Sequence, residues 1–193
     1  MAQKTILDVC CGGRMMWFDK DNPSAIYCDK RSETVSNWNY DRSLEVRPNV
    51  VSDFTELPFA SNTFHLVVFD PPHLASLGSN SRTAGMYGKL FGDWKTDIAA
   101  GFSECFRVLI PNGTLIFKWN EHEFKVSEVI ELAPYPPAFG HKSGKLSLTH
   151  WVTFTKPNNR LHSDAGDSPR QQALFTPEAN PAEGKLPTPT PRR

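Results

Sequence analysis

The chain has 193 residues, 39% of them hydrophobic, which suits one domain with a proper core. Its 21 Lys and Arg balance 21 Asp and Glu, so no global basic field announces a nucleic-acid partner, although a local patch stays open. The four cysteines form no Cys-x-x-Cys pair and share no metal-ligand spacing with His, which argues against a disulfide framework or a metal site. With no run of about eighteen apolar residues and an N-terminal run too short for a signal segment, the expected setting is a reducing cytoplasm without membrane contact.

Thr5 to Cys11 reads as a buried strand, and Gly12-Gly13 lets the chain turn sharply and bring its backbone close to a ligand. A plain turn is the alternative. Arg14 to Lys20 has room for only a short helix. Ala25 to Cys28 is a second strand ending on Asp29, about twenty residues past the first, where an adenosine ribose is commonly held through its hydroxyls. Beside Lys30 and Arg31 it also reads as a solvated loop acid. Ser32 to Pro48 shows little periodicity and is expected to be irregular. Val50 to Phe54 is a third strand. Asp53 and Phe54 either meet an adenine, acid to amino group and ring to face, or cap the Thr55 to Pro58 turn and fill the core.

The fourth strand, Leu66 to Phe69, runs straight into Asp70-Pro71-Pro72-His73. The prolines end it and hold Asp70 and His73 in set directions beyond its carboxyl end, the edge at which open α/β sheets bind ligands. The exocyclic amine of adenine or cytosine is a poor nucleophile because its lone pair is delocalised. The Asp70 carboxylate and the Pro71 carbonyl can each accept one N–H and turn that lone pair towards a methyl donor, with His73 stacked on the base. The plainer alternative is a surface Asp-Pro turn.

Leu74 to Gly92, containing Arg82, Tyr87 and Lys89, is long for a plain connection and reads as a lid that meets substrate. Asp93 caps a helix whose apolar face is Ile98, Phe102, Cys105, Phe106 and Leu109, stopped by Pro111-Asn112-Gly113. Thr114 to Phe117 is the fifth strand. Lys118 at its end is expected at a site or in a pair, and Trp119 is a substrate contact or a core residue. Glu121 to Leu132 has helical spacing. Pro134 to Phe139 and His150 to Thr155 form a closing hairpin. Its connection carries His141, Lys142 and Lys145, a basic loop fit for a phosphate backbone or a solvated tip. Residues 157–193 hold too few apolar side chains to offset their ordering entropy, so a disordered Pro-rich tail is expected after a folded domain over 1–156.

Leu7-Asp8-Val9-Cys10-Cys11-Gly12-Gly13, Asp29, Asp53-Phe54, Asp70-Pro71-Pro72-His73 and the closing hairpin occur in the order found in class I S-adenosylmethionine-dependent methyltransferases, which residues 1–156 resemble. Asp70 to His73 is similar to the Asp/Asn-Pro-Pro-aromatic motif of enzymes that methylate exocyclic amines in DNA and RNA. With Phe117-Lys118-Trp119-Asn120-Glu121 it looks like small phage and prophage-borne DNA adenine methyltransferases. The resemblance implies a Rossmann-like, mostly parallel sheet with a C-terminal antiparallel hairpin. It implies S-adenosylmethionine as cofactor, with Asp8, Cys10, Gly12 and Gly13 along its methionine part, Asp29 on the ribose and Asp53 with Phe54 on the adenine. Asp70, Pro71, Pro72 and His73 carry the chemistry and no metal is implied. The expected substrate is DNA ahead of RNA or a free nucleotide, with adenine ahead of cytosine; a protein that binds S-adenosylmethionine without transferring its methyl is the other alternative. No block is long enough for a target-recognition domain, so little sequence preference is expected. Helices are reduced on one sheet face, which leads to the expectation of a second copy, a partner or the Ser32 to Pro48 segment covering it.

Overall fold

The computed structural model describes residues 4–35, 43–78, 81–144 and 147–158. Short apolar runs rich in β-branched and aromatic residues form the strands β1 (Ile6–Asp8), β2 (Ala25–Asp29), β3 (Glu33–Val35), β4 (Leu44–Val46), β5 (Val50–Val51), β6 (Phe64–Phe69), β7 (Leu109–Asn120), β8 (Phe139–Lys142) and β9 (Thr149–Thr155). Seven of them make one sheet in the order β5-β2-β1-β6-β7-β9-β8. The pairs β2–β5, β1–β2, β1–β6 and β6–β7 are parallel, and β9 runs antiparallel to both β7 and β8. The mixed sheet with its closing hairpin is the architecture expected from the sequence. The winding reverses between β1 and β6, which opens a crevice beyond their carboxyl ends.

Strict alternation sorts the two faces. Leu7, Val67, Leu115 and Phe154 sit side by side in register, and all four are fully buried. Helix α2 (Trp94–Val108) lays Ile98, Phe102, Cys105 and Phe106 on that row, and α3 (Val126–Ile130) adds Val129. Each large apolar side chain so buried contributes about 1.5–3 kcal/mol. The opposite face carries the row Tyr27, Asp8, Val68, Ile116, Thr153 and Phe139. There the hydrophobic cluster among the described residues is Cys11, Ala25 and Tyr27, with Ile6 and Trp17 against it. Phe139 at the far end is 70% exposed. Helical cover is therefore concentrated on one face, as the sequence implied.

Several expected elements are shorter or different. Arg14 to Lys20 forms turns in place of a helix; Arg14, at φ 53°, donates to the carbonyls of Lys20 (2.6 Å) and Arg47 (2.6 Å) and lies 3.9 Å over the Tyr27 ring. Three guanidinium contacts hold the segment as a helix ladder would. Ser32 to Pro48 is not irregular in its described part: β3 and β4 pair as an antiparallel ribbon, with Val46 fully buried and Leu44 packed on the Gly12-Gly13 turn. Tertiary contact supplies the order that its weak periodicity lacked. The helical spacing of Glu121 to Leu132 yields only the five residues of α3. β7 starts at Leu109, directly after α2, and absorbs Pro111-Asn112-Gly113 as an irregularity opposite the shift between Phe64 and Leu66, with Asn112 at φ 64°. The hairpin pairs Phe139–Lys142 with β9, so Pro134 to Ala138 lead into the strand. Residues 159–193 of the expected tail lie outside the described residues, as does Lys145.

Candidate active site

The parallel strands β1, β2, β5 and β6 all end at one edge, and a cavity of about 480 Å³ opens there. That size is in the range of cofactor and small-molecule sites. β1 gives way at once to Cys10, Cys11, Gly12 and Gly13, all on the cavity wall. Gly12 has φ +47°, a conformation that costs other residues energy, and its amide donates to Asp29 Oδ2 at 2.9 Å. Space is free where its Cβ would be, so the backbone is open to the cavity. Gly13 is glycine for another reason, because a Cβ there would collide with the side chain of Leu44.

Asp29 ends β2, nine-tenths buried, with Oδ1 accepting from the Arg31 amide (2.9 Å) and Arg31 Nε (3.2 Å). Arg31 Nη1 reaches the Gly85 carbonyl (2.7 Å) in α1 (Arg82–Tyr87) and so ties β2 to the segment that follows the central motif. Asp53 accepts from the Thr55 amide (3.1 Å) and hydroxyl (3.0 Å) and pairs with Lys30 at 2.7 Å. Burial works against its ionisation, yet Lys30 and Thr55 outweigh that and hold the carboxyl below its usual range. Phe54 faces the cavity and also packs on Phe69 with ring centroids 5.4 Å apart. The capping and packing reading of Asp53 and Phe54 is thus what the contacts show, and both residues also line the cavity.

Asp8 is placed differently from its expected post. It is fully buried behind the wall, accepting from Trp17 Nε1 (2.7 Å) and the Cys10 amide (3.3 Å). Burial raises its carboxyl to about 7, against the pull of the Trp17 hydrogen bond and with the nearby charge of Asp70 adding to the rise. Burial likewise drives the Cys10 thiol well above its ordinary range and Cys11 to about 12, so neither is a thiolate nucleophile.

Asp70, Pro71, Pro72 and His73 all reach the cavity from the end of β6. Lys118 Nζ lies 2.5 Å from Asp70 Oδ2. Burial pushes the Asp70 carboxyl up, and Lys118 opposes it. His73 meets the Trp119 ring edge-on at 6.1 Å, and burial lowers its pKa, so the imidazole is neutral at pH 7. Tyr87 and Lys89 come to the wall from the Leu74 to Gly92 segment, Lys89 donating to the Leu77 carbonyl at 2.8 Å. The side chain of Arg82 lies outside the described residues.

The sequence reading is corrected at the far end of the sheet. Trp119 is fully buried core, stacked on Phe117 at 5.9 Å and donating to the Phe124 carbonyl, because alternation along β7 turns it away from the wall that Lys118 joins. Lys142 is bound to Glu121 at 3.1 Å, which also meets His150 at 3.0 Å. His150 and then Lys142 hold the Glu121 carboxyl down at about 2. This leaves His141 as the exposed member of the described basic loop. Neither His141 nor Lys142 lines the cavity, although their loop is at the same edge of the sheet.

Glu123 went unforeseen. Its carboxylate accepts from the amides of Ala75 (2.7 Å) and Ser76 (3.2 Å) and from the Ser76 hydroxyl, which pins the chain just after the motif. Nothing in an acid three residues past a strand end signals that role. Arg31 and Lys30 enter the sequence reading only as neighbours of Asp29, yet both line the cavity. Each cation on the wall is engaged: Lys30 by Asp53, Arg31 by Asp29, Lys89 by Leu77 and Lys118 by Asp70. Among the described residues no three His, Cys, Asp or Glu side chains gather as a metal site needs, and no helix is long and apolar enough to cross a membrane.

No protein-family model matches the chain, and no curated protein matches its sequence. Solved structures do match in shape. The PH0226 protein of Pyrococcus horikoshii OT3 superposes with a TM-score of 0.55 at 14% identity, covering 81% of this chain and 83% of that one. The N-methyltransferase NodS of Bradyrhizobium japonicum WM9, in complex with S-adenosyl-L-homocysteine, gives 0.50 at 14% identity over 81% and 80%. The [4+2]-cyclase SpnF gives 0.50 at 12% identity over 81% and 75%. A transferase and a cyclase on one scaffold show that the shape does not choose the reaction. With its strand order, its reversed last pair and these neighbours, the chain has the Rossmann-like class I methyltransferase fold.

Proposed function

We propose that this chain is an S-adenosylmethionine-dependent methyltransferase whose acceptor is an exocyclic amine of a nucleobase, adenine N6 in DNA read with little sequence preference. The observation that carries the reading is Asp70, a carboxylate on the wall of the switch-point cavity, fixed by Pro71 and Pro72 and sharing that cavity with the Gly12–Asp29 turn. The donor set fits the cofactor. Asp29, Asp53 and Asp70 line the cavity and offer carboxylate oxygens to hydroxyl and amino groups, and Gly12 leaves the backbone open to it.

When bound, S-adenosylmethionine supplies an electrophilic methyl group on a positively charged sulfur. Gly12, Gly13 and Cys10 would border its amino-acid part, Asp29 would take ribose hydroxyls, and Asp53 with Phe54 would take the adenine. Asp70 and the Pro71 carbonyl each accept an N–H of the target amine, which aims the nitrogen lone pair, and Asp70 is placed to take the proton that the alkylated nitrogen sheds. His73, neutral and flat, stacks on the base, which must leave a duplex to reach the site. Tyr87 and Lys89 border it from the wall.

One observation bears on the acceptor, for which RNA or a free nucleotide is the second reading. With each wall cation already engaged, the cavity offers a phosphate backbone little unpaired positive charge. The test is transfer of labelled methyl from S-adenosylmethionine to single- and double-stranded DNA, RNA and free nucleotides, with products digested to nucleosides and weighed. Asp70→Asn is expected to lower transfer by about a hundredfold or more while cofactor binding stays nearly intact. Turnover that survives the change overturns the role of Asp70. Cofactor binding without product in any substrate points to a binding protein.

A further inference from the structure

Lys118 enters the cavity from β7, the strand beside β6, and its register partner across the next pair is Trp151. Its ammonium is 2.5 Å from Asp70 Oδ2 and 5.7 Å from the Trp151 ring. The pair is well shielded, with side-chain exposures of 25% for Lys118 and 15% for Asp70. A carboxylate there can serve a substrate amine in one state only. Ionised, it accepts an N–H; protonated, it becomes a donor and meets the amine with the wrong polarity. Every other influence on Asp70 matters to that choice. Burial favours the proton, Lys118 opposes it most strongly by charge and by hydrogen bond, and His73 adds to that opposition.

We infer that Lys118 is a positioning residue: through its contact with Oδ2 it keeps Asp70 a carboxylate and leaves Oδ1 as the acceptor for the target amine. The inference rests on the amine-methyltransferase reading above and assigns Lys118 a task other than touching substrate.

The test replaces Lys118 by Met, close in shape and uncharged, and by Arg, which keeps the charge. The carboxyl ¹³C resonance of Asp70 is titrated in the full chain without acceptor and is identified by its loss in Asp70→Asn. An opposite charge this close lowers a carboxyl by about 1–3 pH units, so K118M is expected to move the Asp70 titration up by that amount and K118R to restore most of it. The acid limb of the single-turnover rate is expected to move with it, with retained S-adenosylhomocysteine binding showing that K118M is folded. An Asp70 titration that is the same in K118M and the parent overturns the inference, whatever the rate does. A shifted titration in a protein whose parent form methylates none of the substrates supports the pairing and overturns the functional reading.

Discussion

At the scale of single residues, Asp8 shows how a buried charge is managed when the usual cover is missing. Trp17, from a loop, lays its ring edge-on to Tyr27 at 5.0 Å and its indole N–H on the carboxyl. The carboxyl is still raised to about 7 from an ordinary 3.8. The sign follows directly. The folded form binds the proton more tightly than the unfolded one, so this group's contribution is full below pH 4 and is lost as pH rises through 7. The loss is on the order of a few kcal/mol. Asp8→Asn, which keeps an oxygen for Trp17, is expected to flatten the fall in stability between pH 5 and pH 8. Urea unfolding at both pH values checks this, and an undiminished slope in the variant assigns the titration to another group.

At the scale of elements, the segment after Asp70 is held at both ends of its described part. Glu123 grips Ala75 and Ser76, and the Leu90 amide returns to the Leu74 carbonyl at 2.9 Å. Between them Arg31 joins Gly85 to Asp29, and Gly88 sits so close to Pro72 that a Cβ would be 3.0 Å from its ring. The wall made by Tyr87 and Lys89 is thus built by contacts from β2, from the loop after β7 and from the motif itself. Glu123→Ala removes charge-assisted bonds worth about 1.5–3 kcal/mol each. Amide exchange at Ala75 and Ser76 is expected to quicken by about tenfold or more, and methyl transfer to fall while S-adenosylhomocysteine affinity holds. Unchanged exchange at these two amides makes the Glu123 contact dispensable.

At the scale of the whole molecule, a chain of neutral total charge has a cavity whose lining is balanced too, with Asp29, Asp53 and Asp70 each paired to a wall cation. Binding to the folded state alone must stabilise it, so S-adenosylhomocysteine at a hundred times its Kd is expected to raise unfolding free energy by about 2.7 kcal/mol. Thermal unfolding across a concentration series reads this out, and no shift at any concentration removes this cofactor from the functional reading. The row from Ile116 to Phe139 on the second face has exposed apolar area where the first face has α2 and α3.

The strands through Ile6, Ala25 and Leu66, the helix capped by Asp93 and the antiparallel last pair were legible because periodicity and turn residues act locally, within a few positions. The same locality made Gly12, Asp29 and Asp70 visible as strand-end residues, and the switch point then collects such ends in one place. The charge of Lys118 marked it for a site or a pair, while Trp119 stayed open between core and substrate contact. Which side of β7 each faces is decided by the partner rows. Asp8, read as a cavity residue, is drawn behind the wall by an indole nine residues away. The β3–β4 ribbon and the grip of Glu123 on Ala75 depend on pairings between distant positions, which leave no period in the sequence. Local chemistry therefore determined the elements and the acids at their tips. Which side chains share a wall, which cations are already taken and which charge is sealed away were decided only when the sheet brought remote segments into contact, because burial and pairing are properties of neighbours in space.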